Sequence, residues 1–230
     1  MDFTFILVEP AVPENIGASA RALKTMGFNK LCLVNPCDFK NMEARKLAHG
    51  SYEILEKAVV YDSLPEATKG FHFTIGTSAK HRRVKHDYYQ ITEIAGLVKG
   101  KENIISKVGV VFGREERGLD NDELKACDIV SYIPMKTAYP SLNLAQAVMV
   151  YAWELSKVSL PGKILNEVRE EDEFRSLKKK VSEFLKENQI NRNQVLYNRI
   201  MERLGLLKEE DIHLLHSIHK YLNAPNKNAG

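Results

Sequence analysis

Short runs rich in Val, Ile and Phe recur at residues 3–8, 30–34, 58–61, 71–77, 108–112 and 129–133, each of strand length. Segments of helical period lie between them, among them residues 15–26, closed by Gly27, and residues 121–126. This alternation predicts an α/β fold, with a mostly parallel sheet covered by helices on both faces. One longer helix is predicted over residues 141–158, with Ser141 capping its free N–H groups. Ser159, Leu160, Pro161 and Gly162 then break the pattern, and no strand-like run follows. Amphipathic stretches at 171–187, 192–204 and 209–222 predict a small helical extension, punctuated by Asn191 and Gly205 and ending in a frayed polar segment. The expected domains are therefore residues 1–158 and 163–230.

Several function classes find no support. The 33 Lys and Arg residues against 30 Asp and Glu leave a net charge of +3, which permits an acidic partner without specifying one. Cys32, Cys37 and Cys127 are odd in number and contain no CxxC pair, so they predict neither a zinc site nor a disulfide framework and read as small buried hydrophobes. His213, His216 and His219 are spaced so that the outer two diverge around a helix, so no metal is expected. The apolar segment at 3–8 has no basic flank or cleavage site, and no apolar run reaches membrane-spanning length. A cytoplasmic protein with no membrane partner is expected.

Three segments follow strand-like runs and carry polar groups where an α/β fold binds ligands. The first, 9–23, reads EPAVPENIGASARAL, and it lacks the GxGxxG of a dinucleotide-binding turn. Taken alone, Arg21 within it reads as a surface charge on a core helix. The second, 110–119, reads VVFGREERGL, which alone is a solvated turn bracketed by glycines. The third runs from Ile133 through Tyr139, Pro140, Ser141, Leu142 and Asn143 into a helix, where a serine is ordinarily a cap. A basic run, Lys80-His81-Arg82-Arg83-Val84-Lys85-His86, follows the fourth strand, and such a run is usually a solvated face.

Together, in this order and spacing, the three segments resemble motifs one to three of the SpoU-type branch of the SPOUT methyltransferases. Within that branch they are similar to the TrmJ family of tRNA 2'-O-methyltransferases. The resemblance covers about residues 1–158 and rests on NIGASARALKTMGF, FGREERGL and YPSLNLAQAV. It implies a C-terminal trefoil knot, a homodimer with the active site at the subunit interface, and S-adenosylmethionine as cofactor. The implied cofactor residues are Thr77, Ser78, Ala79, Gly113, Ile133, Pro140, Ser141 and Leu142. The implied catalytic residues are Asn15, Arg21, Glu115 and Asn143, and Lys80, Arg82 and Arg83 would contact RNA phosphates. The implied activity is methylation of a ribose 2'-hydroxyl in tRNA, at an anticodon-loop pyrimidine, with the helical extension binding RNA. The same chemistry on ribosomal RNA, or RNA binding without catalysis, remains the alternative.

Overall fold

The computed structural model describes residues 1–82, 84–85, 87–137, 141–158 and 173–222. In chain order the elements are β1 (Asp2–Val8), α1 (Pro13–Thr25), β2 (Leu31–Val34), α2 (Met42–Ala48), α3 (Tyr52–Glu56), β3 (Val59–Tyr61) and α4 (Leu64–Thr68). These are followed by β4 (Phe73–Thr77), β5 (Tyr88–Gln90), α5 (Ile91–Lys99), β6 (Lys107–Phe112), α6 (Asn121–Ala126), β7 (Ile129–Tyr132) and α7 (Leu144–Ser156). The extension comprises α8 (Glu173–Glu187), α9 (Gln194–Leu204) and α10 (Glu209–Leu222).

Seven strands form one sheet in the order β3-β2-β1-β6-β4-β7-β5, and every pairing is parallel. The α/β expectation holds. The strand that sequence reading missed, β5, is three residues long and sits at the sheet edge directly after the basic run. It makes too little apolar pattern to announce itself.

Alternation along β1 divides its side chains between the two faces. Phe5 and Leu7 join a large core with Ile16 and Leu23 of α1, Ala44 of α2, Ile94 of α5 and Val148 of α7. Ile6 and Val8 enter a smaller one with Leu64 of α4 and Leu124 of α6. Close approach of α1 and α2 requires Gly17, because a Cβ there would lie 2.1 Å from the Ala44 carbonyl oxygen. Cys32 and Cys127 are buried and Cys37 is half-buried; burial pushes the Cys32 thiol up to about 11 and that of Cys127 to about 12.

Two helix starts differ from expectation. Asn143, not Ser141, caps α7: its Oδ1 accepts from the Ala145 N–H at 2.8 Å, while its own N–H donates to Gln146 at 3.0 Å. An asparagine followed three residues later by glutamine forms the reciprocal capping box, which the serine lacks. In the extension, Gln189 at φ 58° ends α8, residues Ile190–Arg192 form a 3-10 turn, and Asn193 caps α9. Residues 159–162, the expected boundary, lie outside the described residues.

The extension shares a core with the sheet. Phe174, Leu177, Leu204 and Ile212 are buried in the larger cluster, and the Phe174 ring lies 5.9 Å from that of Phe73. Polar ties reinforce this packing. Lys101, only 1% exposed, donates to the Leu207 carbonyl, and Lys178 pairs with Asp128. Arg199 reaches Asp87 at 2.7 Å and Asn103 donates to Glu209 at 2.7 Å.

Because the tail helices complete the core, Phe174→Ala should destabilise the whole chain by about 3–5 kcal/mol in a single urea transition followed by circular dichroism. A separate early transition that leaves the sheet intact would show instead that the extension folds as its own unit.

Candidate active site

Parallel pairing brings the carboxyl ends of β1, β6, β4 and β7 to one edge of the sheet, in that spatial order. The loops after β1, β6 and β7 carry the three sequence segments. Their side chains meet there. Glu115, after β6, accepts from the backbone N–H of Ala11 at 3.1 Å and of Val12 at 3.3 Å, and from the Asn15 side-chain amide at 2.9 Å. Asn143 donates to the Asn15 Oδ1 at 2.7 Å. A continuous chain of hydrogen bonds, Glu115 to Asn15 to Asn143, thus joins all three loops.

The local reason lies at the start of α1. Its N-cap residue, Val12, has no side chain able to accept from the free N–H groups of the first turn. Glu115, from another loop, accepts instead from the N–H of Val12 itself and of Ala11 just before it, and its negative charge suits the positive end of the helix. Asn15 is buried, so its amide needs partners on both sides and finds them in Glu115 and Asn143.

The loop carrying Glu115 is rigid for its own reasons. Gly113 admits no side chain, since a Cβ would lie 2.0 Å from the Gly118 carbonyl carbon. Arg114 pairs back on Gly118 through the backbone, while its guanidinium reaches Glu9 at 2.6 Å and both oxygens of Glu123 at 2.9 and 3.1 Å. Hydrogen bonding to Arg114 holds the Glu9 carboxyl below its ordinary value and raises the guanidinium further. Glu9 itself sits at φ 45°, a left-handed conformation disfavoured for glutamate. Sequence reading gave Glu9, Arg114 and Glu123 no role; the charge density of the turn was the available signal.

The remaining predicted residues divide by location. Thr77 ends β4 half-buried, and Ser78 is fixed by its N–H to the Ser131 carbonyl at 2.9 Å and its hydroxyl to the Lys80 carbonyl at 2.7 Å. Ala79 and Ser141 are exposed, Ile133 and Leu142 half-buried, and Gly113 buried. Pro140 and Arg83 lie outside the described residues. Arg21 is exposed on α1, and six residues of helix carry it about 120° around from Asn15. The structure therefore does not bring Arg21 into the Glu115–Asn15–Asn143 chain within one protomer. Arg82 turns inward, donating to the carbonyls of Leu119 at 2.7 Å and Arg117 at 2.6 Å. Lys80 is exposed without a side-chain partner among the described residues. No three His, Cys, Asp or Glu side chains among the described residues gather to hold a metal ion, and no described helix is long and apolar enough to cross a membrane.

Residues 2–153 match the SpoU rRNA methylase family. The chain belongs to that family. The extension of this SpoU methylase, over residues 171–224, matches the C-terminal domain of the tRNA/rRNA methyltransferase LasT. The protein is 36% identical over 95% of its length to the "uncharacterized tRNA/rRNA methyltransferase LasT" of Escherichia coli (strain K12), covering 96% of that protein. It is 39% identical over 73% of its length to the tRNA (cytidine/uridine-2'-O-)-methyltransferase TrmJ of Yersinia pestis (strain Pestoides F), and the match spans 65% of that enzyme. The crystal structure of TrmJ from Z. mobilis ZM4 superposes with a TM-score of 0.67 at 27% identity, covering 97% of this chain and all of that one.

The SpoU methyltransferase AviRb from Streptomyces viridochromogenes, solved in complex with the cofactor AdoMet, superposes with a TM-score of 0.56 at 23% identity, covering 70% of this chain and 62% of that one. The carboxyl edge of this SpoU methylase suits such a group. Thr77, Ser78 and Ala79 are small and uncharged, so backbone groups can approach a nucleoside, while Ile133 and Leu142 offer apolar surface.

Two outcomes follow from the geometry. Glu115→Ala and Asn143→Ala should couple in a double-mutant cycle by about 0.5–3 kcal/mol of stability, whereas independent loops would give additive losses. Because Glu9 has a depressed pKa, its pairing with Arg114 contributes fully above the ordinary value of 4.5 and is lost as pH falls through the depressed value. Glu9→Gln should therefore flatten the acid limb of a melting-temperature profile.

Proposed function

We propose that this SpoU methylase is a tRNA 2'-O-methyltransferase, transferring a methyl group from S-adenosylmethionine to a ribose 2'-hydroxyl of an anticodon-loop pyrimidine. The observation that carries the reading is the hydrogen-bonded joining of Asn15, Glu115 and Asn143 at the carboxyl edge of the sheet. The TrmJ relatives, which are tRNA (cytidine/uridine-2'-O-)-methyltransferases, support the acceptor class. Thr77, Ser78, Ala79, Gly113, Ile133, Pro140, Ser141 and Leu142 would hold the cofactor, which supplies an electrophilic methyl group for in-line displacement. The protein's task is then to position the ribose and stabilise the charge that develops on its oxygen.

Arg21 is assigned that stabilisation and the orientation of a substrate phosphate. A guanidinium with a pKa above about 12 is a poor proton acceptor, so its role is electrostatic. Exposed on α1, it would act in a site sheltered from water only when another surface covers it. A homodimer belongs to this reading for that reason, and the trefoil knot comes to it from the resemblance to the SPOUT methyltransferases. Residues 1–158 would form the catalytic domain and residues 163–230 an RNA-binding extension, with Lys80 and Arg83 near the RNA backbone, whereas the Arg82 guanidinium is held by the Leu119 and Arg117 carbonyls. Lys179 and Lys180 of α8 would add to that surface, whereas Lys178 is already paired with Asp128. Ribosomal RNA is the second reading, favoured by membership of a family of rRNA methylases.

Transfer of labelled methyl groups to purified tRNA and rRNA, followed by mass spectrometry of the digested nucleosides, separates the two. Labelling of rRNA alone rejects the tRNA assignment. Arg21→Ala should lower turnover roughly a hundredfold while cofactor affinity stays unchanged by calorimetry. Arg21→Lys should also be poor, because an ammonium lacks the planar fork that pairs with phosphate at two points. Full activity in Arg21→Ala, or loss of cofactor binding, returns Arg21 to a structural role.

A further inference from the structure

The basic loop after β4 divides its side chains in a way that its sequence conceals. Arg82 spends its guanidinium on the carbonyls of Arg117 and Leu119, and Lys85 donates to the Cys127 carbonyl at 2.7 Å, with burial lowering its pKa. The Tyr88 hydroxyl clasps the loop from below, accepting from the Arg82 N–H at 3.1 Å and donating to the Arg82 carbonyl. Among the described residues of the run, Lys80 and His81 face solvent.

His81 is not a loose surface ring. Its imidazole lies 4.8 Å from the Tyr88 ring at an interplanar angle of 33°, and 4.4 Å from the Tyr132 ring at 66°. The two tyrosines come from neighbouring strands, β5 and β7, and Tyr132 immediately precedes Ile133 at the carboxyl edge. An exposed planar ring is thus backed by two aromatic rings fixed in a sheet, and the preceding residue, Lys80, is exposed with no side-chain partner among the described residues. Stacking on such a surface is open to any base because every base has a π-face, and a neighbouring cation suits the backbone phosphate.

We propose that His81, seated on Tyr88 and Tyr132, is a stacking platform for one unpaired nucleobase of the RNA substrate, with Lys80 taking the adjoining phosphate. The proposal rests on the RNA methylation reading given above and adds a specific contact to it. His81 positions substrate and takes no part in methyl transfer itself.

The test uses the full chain and steady-state methylation of tRNA. His81→Ala should raise KM for tRNA roughly five- to tenfold, with turnover at saturating tRNA and S-adenosylmethionine affinity unchanged. His81→Phe should restore KM, since it keeps a planar ring, and His81→Lys should not. The platform is refuted if His81→Ala leaves KM unchanged, if Lys rescues where Phe fails, or if the loss falls on cofactor affinity. Fluorescence anisotropy with a short unstructured oligouridine separates this proposal from the activity. A wild-type chain that methylates no RNA overturns the proposed function, yet weaker oligouridine binding by His81→Ala than by wild type would still support the platform. Equal binding by the two would reject it. Melting curves for each variant confirm that folding is intact, as expected for an exposed ring.

Discussion

A single carboxylate has to satisfy the free end of a helix that cannot cap itself. Val12 offers no acceptor at the start of α1, so Glu115, about a hundred residues along the chain, takes the N–H groups of Ala11 and Val12 and the amide of Asn15. The Asn15 amide is part-buried, and leaving such a donor unmet costs about 1–3 kcal/mol. That cost ties the loop after β6 to the loop after β1, and Asn15 passes the constraint on to Asn143 at the head of α7. Three chemistry-bearing segments are held in one place by the Asn15 side-chain amide, bonded to Glu115 on one side and to Asn143 on the other.

The carboxylate can act in this way only if its own loop holds still. Gly113 lets the turn close on Gly118, Arg114 fills two carboxylates at once, and Arg82 fastens the far side of the turn from the neighbouring strand. Charge in this region therefore serves structure first. Arg82 and Lys85 look like substrate contacts in the linear sequence, yet each donates to main-chain carbonyls. Among the described residues of that run, Lys80 and His81 are the exposed pair, with aromatic rings packed against the histidine.

The helical extension shows the same economy. Its apolar stripe completes the larger core, with Phe174 against Phe73 and Leu204 and Ile212 in the same cluster. Lys178 and Arg199 are likewise committed to Asp128 and Asp87 on the catalytic side. An extension anchored in this way presents any RNA-binding surface in a fixed relation to the carboxyl edge of the sheet, as a flexible tether would not.

By itself the sequence determined the class of fold, because alternation of strand-length β-branched runs with helical periods is a local property written residue by residue. It also located the three segments that carry the site, and their wording resembled the family to which the chain belongs. Tertiary structure alone decided the strand order, the use of β5, the capping of α7 by Asn143 rather than Ser141, and the inward turn of Arg82. The physical reason is sequence separation. Asn143 and Asn15 are 128 residues apart and Asn15 and Glu115 are 100 apart. No local period can encode which distant donor will meet which acceptor; that is settled only when parallel pairing sets β1, β6, β4 and β7 side by side and brings their carboxyl ends to one edge.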